Sequence, residues 1–323
     1  MSGAKSGEGG EGESNTVILR AFIANLGIAV AKFTAAIITG SAAMMTEGIH
    51  STVDTLNQVF MWGGEKRAKK PPDELHPMGY ARELYFWAFV VAVMIFALGA
   101  GVSAYEGIHT LINPHPTESP LIAFAVLGIA FLLEGWSWLT AWKAFNKHRG
   151  DLSVLEGIRQ TKDTTSLVVL LEDSAAVTGV VLAAAGIGLE LLTNNPVWDG
   201  VASLGIAGLL ATVAVVLLRE AKDLLIGESA DPKLARTIRR EVEEETGVIA
   251  VSDVFTVHLG PEQVFCVVTV DFDDAMPTGQ LEKLVGRIEK KMIERNDFIT
   301  RAYVHPLDEG DTLHQPQPQQ QPA

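Results

Sequence analysis

Residues 41–60 read Ser41-Ala-Ala-Met-Met-Thr-Glu-Gly-Ile-His50-Ser-Thr-Val-Asp54-Thr-Leu-Asn-Gln-Val-Phe60. His50 and Asp54 sit four residues apart in a run that is otherwise mostly apolar. Residues at i and i+4 share one helix face, so an imidazole and a carboxylate meet there, with Glu47 one turn above. Ionisable groups are costly at membrane depth, and their presence marks function or a pairing partner. Imidazole plus carboxylate also suits a borderline divalent metal. A structural ion pair is the competing explanation for the same two residues.

Working outward, the first two-thirds of the 323-residue chain hold apolar stretches long enough to span a bilayer, which takes about 20 residues. Six are expected, at about 17–39, 42–62, 84–112, 120–145, 163–192 and 198–218. The chain is 48% hydrophobic, with a mean hydropathy of +0.22. Lys66, Arg67, Lys69, Lys70 and Arg82 lie between the second and third stretches. Lys143, Lys147, Arg149, Arg159 and Lys162 lie between the fourth and fifth, and Arg219 and Lys222 follow the sixth. The connections around Gly40, 113–119 and 194–199 carry no Lys or Arg. Basic loops stay on the cytoplasmic side, so the expectation is a multi-pass plasma (inner) membrane protein with both termini cytoplasmic.

Residues 1–15 are rich in Gly, Ser and Glu and are expected as a disordered tail, followed by a transmembrane domain over 16–226. The net charge of −14 argues against nucleic acid as a partner. A single cysteine, Cys266, excludes an intrachain disulfide and a thiolate cluster within one chain.

Residues 227–308 change character. Asp231 followed by Pro232 reads as an N-cap and first helical position. Leu234, Ile238 and Val242 then recur every four residues, and Gly247 ends the helix. Two strand-like runs follow at 249–259 and 264–272. Thr278 is expected to cap a second helix carrying Leu281, Leu284, Val285, Ile288 and Met292, and 298–304 reads as a strand. The order α-β-β-α-β predicts a small cytoplasmic ferredoxin-like α+β domain. Its core is thin, so association between copies would support it. Residues 309–323 are Gln/Pro-rich and expected to be disordered. The fold class is therefore an all-α polytopic domain of six transmembrane helices followed by a small α+β domain.

Asn25, Lys32, Gly40 with Ser41, and His50-x-x-x-Asp54, together with the stretch from His76 through Arg82 to Trp87 and Asp199, resemble the cation diffusion facilitator family of divalent-metal/proton antiporters. The resemblance covers the six spans and the soluble tail. In the fifth span the family carries His-x-x-x-Asp. Here Asp173 matches the Asp, but Val169 stands where the His would be, and Glu172 precedes Asp173. This Glu-Asp variant is similar to the branch that includes the animal zinc transporter nine.

The resemblance implies that His50, Asp54, Asp173 and Glu172 are candidate ligands for the transported metal. Consecutive helix residues point about 100° apart, so Glu172 does not simply replace a histidine at 169. Either the helix rotates to share both carboxylates, or Glu47 or a water completes the site. Glu47 is a ligand, a support for the ligands, or a cavity-lining gate. Asn57 either supports a ligand or packs, Lys32 is expected to snorkel, and Glu134 and Glu190 are expected in solvated or interhelical roles. Asp73 and His76 fall where some members bind metal in a loop, with Tyr80 in place of a third ligand.

No prosthetic group is implied. Zinc and protons are the expected transported ions; manganese, iron or cobalt are alternatives, because three carboxylates and one imidazole make a hard site. The lipid bilayer is the expected environment and a homodimer the expected assembly. Gly99, Ser103 and Gly107 form a small-residue ridge permitting close helix contact within or between protomers. An intramembrane metalloprotease would want a His-Glu-x-x-His helix, which the sequence lacks. A membrane metal sensor that binds without transporting is the alternative from a different class.

Overall fold

The computed structural model describes residues 8–150 and 152–307. They form two compact units that divide between Lys222 and Asp223. The first contains helices α1 (Glu8–Thr39), α2 (Ala42–Ala68), α3 (Glu83–Met94), α4 (Gly101–Ile112), α5 (Pro120–Arg149), a short α6 (Val154–Gln160), α7 (Thr164–Thr193) and most of α8 (Val197–Ile226). A π-helical stretch, Ile95–Ala100, joins α3 to α4, so the two run as one helix. The protein is a multi-pass membrane protein, mostly helical.

Among the described residues, four helical segments are long and apolar enough to cross a membrane: Glu83–Ile112, Pro120–Lys147, Thr164–Thr193 and Val197–Ile226. Residues Asn25–Thr39 form a shorter apolar helix. Helix α2 carries Glu47, His50, Asp54, Glu65 and two basic residues in its last turn, which dilute its apolar character. Helix α1 begins at Glu8, so residues 8–15, expected as part of a tail, continue it. Gly9, Gly10 and Gly12 each cost about 1 kcal/mol in a helix relative to alanine, but no proline breaks the stretch and extending a helix is far cheaper than nucleating one. Residues 1–7 and 308–323 lie outside the described residues.

The turn into α2 is tight. Gly40 takes φ +66°, a left-handed conformation that a glycine adopts without steric cost. Ser41 then caps α2 by accepting from the Met44 amide at 3.1 Å. The first amides of any helix lack internal partners. Here a second cap reaches in from α8: Asp199 accepts from Ser41 Oγ at 2.6 Å, the Ala42 amide at 2.5 Å and the Ala43 amide at 3.3 Å.

Helix α2 packs against α1, against the α3–α4 helix and against α7, while α5 packs on α1 and α7. Small residues permit these approaches. A Cβ at Gly48 would press on the Phe33 ring, and one at Gly64 on Trp87. The Gly99-Ser103-Gly107 ridge meets α8 of the same chain: Gly99 faces Leu210, Gly107 faces Leu204, and the Ser103 carbonyl accepts from Ser203 Oγ at 3.2 Å.

The second unit runs α9 (Pro232–Glu243), β1 (Val248–Gly260), β2 (Gln263–Phe272), α10 (Thr278–Arg295) and β3 (Ile299–Pro306), the expected order. The sheet order is β1-β2-β3, with β1 and β2 antiparallel and β2 and β3 parallel. Ile238 and Val242 of α9 and Leu284, Ile288 and Met292 of α10 form one core with Val251, Cys266, Val268, Val270, Ile299, Ala302 and Val304 of the strands. Both helices therefore cover one sheet face. Asp231 caps α9 by accepting from the Lys233 amide at 2.7 Å. At α10 the cap position is Pro277, one residue before the expected Thr278, and no side chain bonds the first turn.

Candidate metal centre

His50 lies on the buried face of α2 with 1% of its surface exposed. Its Nδ1 is 3.3 Å from Asp54 Oδ1, the separation expected for i and i+4 on one helix. The approach lacks hydrogen-bond geometry, and both imidazole nitrogens and Asp54 Oδ1 are buried with no hydrogen-bond partner among the described residues. Buried polar atoms normally find a partner, since leaving one unsatisfied costs about 1–3 kcal/mol. One imidazole nitrogen and one carboxylate oxygen, on the same face one turn apart, offer a cation two ligand atoms of the type it takes.

Helix α7 supplies the facing side. Its buried stripe runs through Val168, Glu172, Ala175, Ala176, Gly179 and Ala183. Glu172, not Asp173, is the acid on the α2 side: its Oε1 accepts from Asn57 Nδ2 at 2.5 Å. Asn57 follows Asp54 by three residues, so the carboxylate of Glu172 is held one turn from the His50–Asp54 pair. Asp173 turns toward α5, where Ser137 Oγ donates to its Oδ2 at 2.7 Å. Val169 is 40% exposed and off the stripe. The helix thus divides its two acids between two neighbours. Among the described residues, no three His, Cys, Asp or Glu side chains converge into a ready-made metal cage.

Glu47 does not join His50. Its Oε2 accepts from Lys32 Nζ at 2.7 Å, and the same ammonium donates to Glu134 Oε1 at 2.7 Å. Lys32 is fully buried, which corrects the expectation that it snorkels. Two carboxylates offer it more than the headgroup region would, and a buried charge stays buried only when it is well paired. Glu134 is thereby interhelical, binding α5 to α1. The signal for this trio was in the sequence: one cation and two anions in separate apolar spans must find each other.

Other polar groups serve packing. Glu190 accepts from the Thr117 amide at 2.6 Å and from Thr117 Oγ1 at 2.5 Å, and Thr46 and Ser203 hydroxyls meet at 2.6 Å. In the loop after α2, Asp73 accepts from the amides of Leu75 at 3.0 Å and His76 at 2.7 Å, and Tyr80 donates its hydroxyl to it at 2.5 Å. The Tyr80 hydrogen bond, aided by His76, holds the Asp73 carboxyl below its ordinary range. Tyr80 therefore closes the loop as a hydrogen-bond donor. In the second unit, His258 is buried in β1 and His305 pairs in register with Thr269.

A family model for the cation efflux transmembrane domain matches residues 18–226. The chain is 37% identical over 255 residues to a proton-coupled zinc antiporter, mitochondrial, of Xenopus laevis, covering 78% of this chain and 46% of that protein. It is 36% identical over 255 residues to the human protein of the same name, covering 78% and 45%. Metal tolerance protein C4 of Arabidopsis thaliana is 31% identical over 253 residues, covering 78% and 55%. The chain thus spans about half the length of these curated relatives. A helical domain of the expected order, a buried His-x-x-x-Asp pair, and a family match over most of that domain agree: the chain belongs to the cation efflux family, in the branch of the zinc-transporter-nine-like proteins.

Proposed function

We propose that the chain exports a divalent metal cation, zinc in the first instance, in exchange for protons, by alternating access around His50, Asp54, Glu172 and Asp173. The observation that carries this reading is the imidazole of His50, buried in a cation efflux domain with both nitrogens unpartnered beside Asp54. Its support from relatives is that the similar frog and human proteins bear the name of proton-coupled zinc antiporters.

The coupling follows from ligand chemistry. Metal binding requires a neutral imidazole and ionised carboxylates. Protons held by the empty site must leave when metal enters, and protons arriving from the far side displace the metal. Exchange then needs only that the site face one side at a time while helices move around it. In this reading Glu172 and Asp173 close on His50 and Asp54 when the cargo arrives. Glu47 stays with Lys32 and is not a ligand. All six long helices cross the membrane, both termini lie on the side of the basic loops, and that side is the cytoplasm of a plasma membrane. Two chains associate, with the thin second unit contributing.

The donor set contains one nitrogen and three carboxylates, and Asn57 Oδ1 is a further buried oxygen without a partner. That hardness favours manganese or iron as a second cargo. Uptake into proteoliposomes with zinc, manganese, iron and cobalt, with and without a pH gradient, tests the reading. Zinc movement that depends on an opposing proton gradient and vanishes in Asp54→Ala is the expected result. Undiminished transport by Asp54→Ala refutes the site, and metal binding without any crossing favours a sensor.

A further inference from the structure

Lys32, Glu47 and Glu134 come from α1, α2 and α5 and meet at a single ammonium, 2.7 Å from each carboxylate. The side chains of Lys32 and Glu47 are fully buried and that of Glu134 is 12% exposed. With both carboxylates ionised, one positive and two negative groups leave one surplus negative charge. The second oxygens, Glu47 Oε1 and Glu134 Oε2, are buried without a partner among the described residues. Space for Glu47 Oε1 is left by Gly179 on α7, where any Cβ would strike it. The cluster therefore touches the α7 face that carries Glu172. Glu47 precedes His50 by three residues on α2, which sets the cluster one helical turn from the His50–Asp54 pair.

We propose that Lys32, Glu47 and Glu134 form a charge-balancing network whose one surplus negative charge sets how tightly the neighbouring site holds its metal. Lys32 is a tethered cation that shares the acidic interior with the cargo. It offsets one carboxylate and leaves the other's charge to attract the metal. The three residues are positioning and affinity-setting groups; none needs to touch the metal. This inference rests on the metal-site reading above.

Charge, rather than the identity of any one residue, is then what the site feels. Glu134→Gln keeps the shape and an acceptor for Lys32 but removes the surplus charge. Glu47→Gln does the same from α2. Each is expected to raise the KM for Zn²⁺ about fivefold or more, the lower range of coupling between sites. Restoring the balance with Lys32→Met in the Glu134→Gln background returns KM toward the wild-type value. A merely structural network predicts the reverse order, with the double variant worse than either single.

The test is initial Zn²⁺ uptake against Zn²⁺ concentration in proteoliposomes, using full-length protein that is monodisperse on size-exclusion chromatography. Wild-type KM in both Glu134→Gln and Glu47→Gln overturns the proposal, even if the double variant fails to fold. A folded double variant whose KM stays as high as that of Glu134→Gln also overturns it. Asp54→Ala in parallel separates the two levels. Transport in that variant brings down the metal-site reading. Its silence, with unchanged KM in the two glutamine variants, brings down the network alone.

Discussion

Removing the amide of Asn57 tests whether Glu172 is a working ligand. Asn57 is fully buried and Glu172 is 7% exposed, and their contact at 2.5 Å joins α2 to α7. An ionised carboxylate only accepts hydrogen bonds, so the Asn57 amide nitrogen must be the atom that faces it. Asn57→Leu has nearly the same shape and no donor. A hydrogen bond to a charged group contributes about 1.5–3 kcal/mol. The bond is made before metal arrives, so only the part gained when Glu172 is fully ionised counts in binding, and the affinity falls by at most about 10- to 150-fold at 1.4 kcal/mol per tenfold. The assay is Zn²⁺ titration of purified full-length protein by calorimetry with a competing chelator. Equal weakening in Glu172→Gln, with no further loss when the two changes are combined, is the expected pattern. Affinity in Asn57→Leu indistinguishable from wild type refutes the reasoning, because the seam contact would then be packing alone.

Further outcomes follow from other contacts. Asp199→Ala strips three hydrogen bonds from the start of α2 and should destabilise the protein by about 2–4 kcal/mol, read as a lower thermal midpoint; Asp199→Asn should recover part of it. Gly107→Val places a side chain against Leu204, including its backbone nitrogen, and overpacking of this kind costs about 1–3 kcal/mol, visible by the same measurement with the α4–α8 contact as cause. Burial pushes the Cys266 thiol from 9.0 up to about 12, so a thiol reagent at pH 8 should find no reactive cysteine in the native protein and one after denaturation. Because the folded state raises that thiol, its contribution to stability is full below about pH 9 and fades as pH rises toward 12. Cys266→Ala should flatten that alkaline decline in a urea titration.

Much of the second unit was legible from local pattern. Ile238 and Val242, and Leu284, Ile288 and Met292, lie on the core faces that their spacing assigns them. In β2, Cys266, Val268 and Val270 alternate into the same core. These readings succeed because helix and strand periodicity fix which side chains share a face before any partner is known. Where a signal depended on one residue, it slipped: the α10 cap fell on Pro277 rather than Thr278.

In the membrane unit the sequence determined the pair His50 and Asp54, since four residues of helix bring them together whatever surrounds them. It also determined that several charges would lie within apolar spans and would have to be reconciled there. Which charge meets which was a tertiary decision. The rotation of α7 gives Glu172 to α2 and Asp173 to α5 and turns Val169 outward. The packing of α1 between α2 and α5 makes Lys32 a shared partner of Glu47 and Glu134. The approach of α8 lets Asp199 cap a helix that begins 157 residues earlier. A helix has no preferred azimuth of its own. Its rotation is set by the small residues and buried charges of its neighbours, so the identity of the facing acid is fixed only when the bundle closes.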